Sequence, residues 1–286
     1  MVTVASPSRL TARDRARRAD RDRTDRSVPG LLAAPALIAV LFLLLPLIGL
    51  LIRTPWGHLA QALSGTDATQ ALILSVWTAT AATGVSLVIG VPLAWVLART
   101  RFPGQRLLRA LVTLPLVLPP VVGGVALLLA FGRTGVIGTY LYSWFGITIP
   151  FSAPAVVLAE TFSSMPFLII TVEGALRSAD QGFEEAAATL GARRMTVFRT
   201  VTMPMIYPSL AAGSVLCWAR ALGEFGATIT FAGSFPGRTE TMPIAVYYAL
   251  ENDPNAAIAL SLLLLVVSLA VLVSLRDRWL RGGVVA

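Results

Sequence analysis

Apolar positions along the 286 residues gather into six long runs separated by short polar or charged stretches. The runs are Leu31–Ile52, Ala71–Ala98, Leu107–Phe131, Ser152–Val172, Met205–Phe231 and Ala256–Leu275. At about 20 residues or more, each can cross about 30 Å of hydrocarbon as a helix. In lipid an open strand leaves its backbone groups unpaired, so each run is expected to be helical. The third holds LPLVLPPVVGG, Leu114–Gly124, whose three prolines remove backbone donors and predict a kink or break. A broken helix is tolerated where it packs on protein or lines a cavity. The expected fold is all-α and integral to a membrane, with six transmembrane helices.

A polar stretch interrupts the pattern between the fourth and fifth runs: EEAAATLGARRMTVFRTVTMP, Glu184–Pro204. Within it and just before it, Phe183, Ala187, Leu190, Val197 and Val201 fall close to one helical face. Ser178 with Gln181 offers a capping box, and Asp180 another N-cap. Glu184 and Glu185 then occupy the first turn, where the helix dipole favours them. Gly191 is expected to bend the chain into two short helices. Two readings of segment 178–204 stand on the residues alone. It can dock into a groove on a soluble partner, or lie as an amphipathic helix on lipid headgroups.

Composition agrees with the membrane reading. Only 13% of the residues are charged and 56% are hydrophobic, with mean hydropathy +0.75, against about 25% charged in soluble domains. All 23 basic residues are Arg. Cys217 is the single cysteine and His58 the single histidine, which argues against a disulfide framework, a His/Cys zinc site and His-based catalysis. No catalytic or metal-ligating residue is expected, nor nucleic acid as a partner. Residues 1–28, rich in Arg and Asp, read as a disordered basic arm, and 29–286 as the transmembrane domain. The first apolar run exceeds the roughly 7–15 residues of a signal-peptide core and reads as a retained span. Nineteen Arg fall in the arm, the 99–109 loop, segment 173–204 and the C-terminal tail; the opposite loops hold only Arg53, Arg133 and Arg238. Both termini are therefore expected to be cytoplasmic.

Charges inside apolar runs are costly and mark function by default. Run five carries ARALGEFGATITFAG, with Arg220 and Glu224 four residues apart and able to pair. Run four contributes Glu160. All three are expected roughly 10–16 Å from the outer ends of their spans, as one polar cluster. With two carboxylates and one guanidinium, the sum is about −1 when all are ionised, which repels a dianion in a low-dielectric passage. That favours a network locking helices or a gate over direct anion coordination. Arg220 remains the best single attractor for an anion. Thr228 and Thr230 can donate to an oxyanion or bond back to their own helix. Gly223, Gly226 and Ala227 suit close helix contact or a hinge.

Glu185-Ala186-Ala187, Gly191 and Val201-x-Met203-Pro204 resemble the EAA loop of ABC importer permeases, with Val and Met in place of Ile and Leu. The run RALGEFGATITFAG, together with PGRTETMPIAVYYAL, LPLVLPPVVGG and FSSMPFLI, is similar to permeases of molybdate and tungstate importers and, less closely, of sulfate importers. The resemblance spans about Leu31 to Leu275. It implies a type I ABC importer permease fold, with Glu185, Ala186, Ala187, Gly191 and Pro204 coupling the membrane domain to a separate ATPase. It also implies a homodimer, two ATPase subunits and an extracytoplasmic oxyanion-binding protein. The chain has no G-x-x-x-x-G-K-[ST], so no cofactor is expected in it and ATP is expected on the partner. A sulfate or thiosulfate permease and an ion-driven secondary transporter remain alternatives, the latter without a clear internal repeat to support it. An enzyme acting on lipid would need a cluster of acids near an interface, for which only Glu160, Arg220 and Glu224 are available.

Overall fold

The computed structural model describes residues 30–59 and 66–282, all helix, turn or loop. The basic arm expected at 1–28 lies outside the described residues. The chain divides at Arg53 into two units. The first contains α1, Gly30–Arg53, in which the successive Leu41, Phe42, Leu43 and Leu44 put apolar side chains on every side of the helix. A helix apolar all round suits a lipid environment.

The second unit carries α2 (Thr66–Arg99), α3 (Gln105–Val117), α4 (Pro120–Phe131), α5 (Gly138–Phe145) and α6 (Ala153–Ser178). It continues through α7 (Gly182–Thr189), α8 (Arg194–Val197), a π-helical turn (Phe198–Thr202) and α9 (Met203–Leu222). It ends with α10 (Gly226–Ala232), α11 (Met242–Asn252) and α12 (Pro254–Gly282). Helix α6 is its centre. Leu168, Ile169, Val172 and Leu176 of α6 pack with Val91, Ala94 and Leu97 of α2 and with Ile206 and Cys217 of α9. Its first half, with Ala155, Val156 and Ala159, packs with Leu127 of α4 and with Ala227, Phe231 and Ala232 of α10. Small residues set the close approach: a Cβ on Gly90 would lie 3.3 Å from Ile169 Cγ1, and one on Gly213 3.1 Å from Thr171 Cβ.

Among the described residues five helical stretches are long and apolar enough to span a membrane, and six if α3 and α4 count as one broken span. That pair bends by 118°, so the break expected in LPLVLPPVVGG is present. The cause is local: a residue before proline is driven out of the helical region. Leu118 (φ −69°, ψ 132°) and Pro119 (φ −55°, ψ 133°), each followed by proline, are extended. Pro115 sits inside α3 without ending it.

The fifth run departs from expectation. Met205–Phe231 is not one span: α9 ends at Leu222, residues 223–225 leave the helix, and α10 starts anew at Gly226. The depth estimate for Arg220 and Glu224 assumed an unbroken helix out to Phe231 and therefore does not hold. The break at 223–225 lies against the break at 118–119. A Cβ on Gly226 would stand 2.6 Å from Pro120 Cβ and 3.3 Å from Val121 N; one on Gly124 would stand 2.6 Å from Thr230 Cβ and 2.8 Å from the Ala227 carbonyl oxygen. Gly223 meets only the Ala219 carbonyl, at 3.6 Å, so close packing belongs to Gly226 and not to Gly223.

This contact sets an expectation. Gly226→Ala and Gly124→Ala should each lower stability by about 1–3 kcal/mol through overpacking. Gly174→Ala, where a Cβ meets nothing within 4 Å, should be neutral or slightly stabilising. Thermal unfolding of the detergent-solubilised protein checks all three. Equal midpoints for the Gly226 and Gly174 variants would refute the tight contact.

Candidate functional site

The buried polar groups form around the break between α9 and α10. Arg220 lies in the last turn of α9, where a cation complements the helix dipole. The chain leaves the helix at Gly223, and Glu224, 1% exposed, folds back between the two helices. Its Oε2 stands 2.6 Å from Arg220 Nη1, and its Oε1 accepts the Ala227 N–H at 2.9 Å. The expected Arg220–Glu224 pair is therefore present, though Glu224 is just outside the helix. One carboxylate joins the basic end of α9 to the amide end of α10.

Glu160 of α6 is also 1% exposed. Its Oε1 accepts from Thr78 Oγ1 of α2 at 2.9 Å, while Oε2 has no protein partner. Glu160 and Glu224 are close enough to interact electrostatically, so both carboxylates belong to one region. Thr230 bonds back to the Gly226 carbonyl at 2.8 Å. Thr228 is fully buried and its hydroxyl has no protein partner. Thr78 was not singled out in the sequence, although a polar residue within an apolar run was the available signal. Cys217 is buried with its thiol 3.4 Å from Ser164 Oγ. Among the described residues no three His, Cys, Asp or Glu side chains converge as a metal site.

The polar segment after α6 is also built as a distinct device. Ser178 does not begin it, because α6 runs on to Ser178, whose hydroxyl bonds back to Ala175. The capping box with Gln181 is therefore absent, and Asp180 Oδ1 accepts the Gly182 N–H at 2.9 Å instead. Helix α7 ends in a Schellman motif: Gly191 N–H bonds to Ala188 and Ala192 N–H to Ala187, at 3.0 and 3.1 Å. Gly191 has φ +85°, the left-handed conformation that glycine adopts without strain. The predicted bend and two short helices, α7 and α8, are thus observed. The bend splits the single apolar face read from the sequence. Val197 turns inward, whereas Phe183, Leu190 and Met195 are exposed, Leu190 by 89%. Glu185, Ala186 and Pro204 are exposed, and Ala187 is half-buried.

Glu184 faces the other way from Glu185. Its Oε1 takes Arg99 Nη2 at 2.8 Å and Thr202 Oγ1 at 2.9 Å. Nearby, Glu173 Oε1 takes Arg109 Nη2 at 2.8 Å and Arg177 Nε at 3.1 Å. Sequence reasoning used Arg99 and Arg109 only to orient the chain. The sequence placed Glu184 and Glu185 together in the first turn and held no signal for which of them would pair with Arg99.

Residues 90–282 match the family described as binding-protein-dependent transport system inner membrane component. The chain belongs to this family and is a multi-pass membrane protein. It is 51% identical over 244 residues, 85% of its length and 92% of the relative's, to the molybdenum transport system permease protein ModB of Mycobacterium tuberculosis. It is 35% identical over 265 residues, 90% of its length and 95% of the relative's, to the sulfate transport system permease protein CysT of Salmonella typhimurium. Among solved structures it resembles a chain of a bacterial ABC transporter importing the acidic polysaccharide alginate. That likeness has a TM-score of 0.70 at 20% identity, covers 88% of this chain and 95% of that one, and shows the fold.

The Arg220–Glu224 geometry yields a measurable coupling. Glu224→Ala should cost about 2–4 kcal/mol, because it strands a half-buried guanidinium and an α10 amide. Adding Arg220→Met should recover about 1 kcal/mol or more of that loss. A double-mutant cycle on unfolding in detergent reads both values, and strictly additive losses would show that the pair is energetically inert.

Proposed function

We propose that the chain is the membrane-spanning permease subunit of an ATP-driven molybdate importer. The observation that carries this reading is its nearer identity to a molybdenum permease than to a sulfate permease, over most of both chains. In this reading the chain works as a homodimer with two ATPase subunits and an extracytoplasmic oxyanion-binding protein. ATP is bound on the ATPase, and both termini of the permease are cytoplasmic.

Segment 178–204 is the coupling element. The exposed Phe183, Leu190 and Met195 support it, since a projecting helix with uncovered apolar side chains and a charged rim suits a groove in another subunit. Glu185, Ala186, Ala187, Gly191 and Pro204 supply or shape that contact. Closure of the ATPase pair moves the coupling elements and switches the passage between inward-open and outward-open. Arg220, Glu224 and Glu160 lock the helices around the passage, with Thr228 and Thr230 beside them. Support for a lock over an anion ligand is that the Arg220 guanidinium is already neutralised by Glu224 at 2.6 Å. Thr228, the one of the two threonines not bonded to its own helix, is the better donor to a passing oxyanion.

Cellular molybdenum, measured by mass spectrometry in a deletion strain and its complemented parent at nanomolar molybdate, tests the substrate. Molybdenum should fall on deletion and recover on complementation, with or without excess sulfate. Abolition of the difference by sulfate would move the assignment to a sulfate importer.

Coupling has its own test. No atom lies within 4 Å of a Cβ placed on Gly191, so a substitution there strains the backbone without a clash. Gly191→Val should cost about 1–2 kcal/mol locally. It should impair transport while the protein still inserts and folds. Wild-type uptake in that variant would count against the bend as a coupling feature.

A further inference from the structure

Glu184 sits where three elements meet. Arg99 is the last residue of α2, Glu184 lies in the first turn of α7, and Thr202 closes the π-helical turn that leads into α9. One carboxylate oxygen, Glu184 Oε1, receives both Arg99 Nη2 and Thr202 Oγ1. The contact is well shielded: the Arg99 side chain is 8% exposed and that of Glu184 22%. An apolar pocket of about 330 Å³ separates α2 from the α8 region, lined by Pro92, Trp95, Val96, Arg194, Met195 and Phe198. The polar contact thus ties three elements together at the edge of the apolar cluster that joins Leu97 to Ile206, beside this pocket.

Arg99 is also underused. Its Nε and Nη1 are buried and have no hydrogen-bond partner within the chain. Leaving buried donors unpaired is costly, so the observed arrangement is not the best that this guanidinium can make. A guanidinium presents its donors as a fork that can hold a carboxylate by one edge or another. The carboxylate can pivot from one edge to the next while the charge stays neutralised. A π-helical turn, a wound segment often found at functional positions, lies on the same contact.

We propose that Glu184 is a positioning residue. It clamps the coupling segment to the ends of α2 and α9, and swivels on the Arg99 fork as that segment moves. The proposal rests on the reading that segment 178–204 engages an ATPase. Glu185, facing outward, belongs to the docking side; Glu184, facing inward, carries the displacement to the spans.

The test uses the complete transporter, permease with its ATPase and binding protein, reconstituted in liposomes. Uptake of radiolabelled molybdate and ATP hydrolysis are measured in the same vesicles. Their ratio cancels the amount of folded complex, so a purely structural defect leaves it unchanged. Glu184→Gln should lower the ratio about fivefold or more while hydrolysis stays within about twofold of wild type. Arg99→Lys, which keeps the charge and loses the fork, should also lower it. Thr202→Val removes one hydrogen bond without touching a charge, and should lower the ratio by about twofold. It keeps the proposal testable if Glu184→Gln does not assemble. A wild-type ratio in Glu184→Gln, or in Thr202→Val where Glu184→Gln does not assemble, overturns the clamp. If the wild-type chain itself binds no ATPase, the underlying reading fails instead, and the two failures are told apart in the first purification.

Discussion

Hydrocarbon offers no hydrogen bonds, so any backbone that leaves the helix within a membrane must find its partners in protein. This chain breaks two of its apolar runs, at Leu118–Pro119 and at Gly223–Phe225, and sets the breaks against each other. Gly226 lets Pro120 approach, and Gly124 lets Ala227 and Thr230 approach. Neither break is tolerable alone in lipid. Together they create a protein-lined region of irregular backbone, and Glu224 is fixed there by the Ala227 amide of α10 and by Arg220. The polar groups proposed to govern passage are thus a consequence of how two broken helices satisfy one another.

The ion pairs divide the labour along the same axis. Arg220–Glu224 secures the break between α9 and α10, while Arg99–Glu184 and Arg109–Glu173–Arg177 secure the ends of α2, α3 and α6 next to segment 178–204. Every cation in these pairs is a guanidinium, which keeps its charge at any physiological pH and presents a directional fork. The apolar core around α6 holds the bundle, and the ion pairs set the angles at its edges.

Much of this was legible in the sequence because the signals are local. Proline pairs dictate extended residues before them, so the break in LPLVLPPVVGG could be read directly. Gly191 marked a left-handed turn, and the spacing of Arg220 and Glu224 allowed their pair. What escaped depended on contacts between distant residues. The end of α9 at Leu222 has no proline to announce it, and the glycines there suited close contact and a hinge alike; the packing of Gly226 on Pro120, more than a hundred residues away, is not visible in the sequence. The single apolar face assigned to Phe183, Leu190 and Val197 assumed one helix axis, whereas the bend gives two. Glu184 and Glu185 look alike in sequence, and only the placement of Arg99 and Thr202 distinguishes the buried one from the exposed one.

Leu190 is 89% exposed at the tip of the bend, with Phe183 and Met195 exposed nearby. Large apolar side chains standing in water are adhesive until something covers them. A permease made in excess of its covering subunit would therefore carry a visible mark of being alone, open to chaperones, proteases and self-association. Under the proposed coupling role, the lifetime of this chain would be tied to the supply of its partner, so the surface proposed to transmit force would also control the stoichiometry of its manufacture.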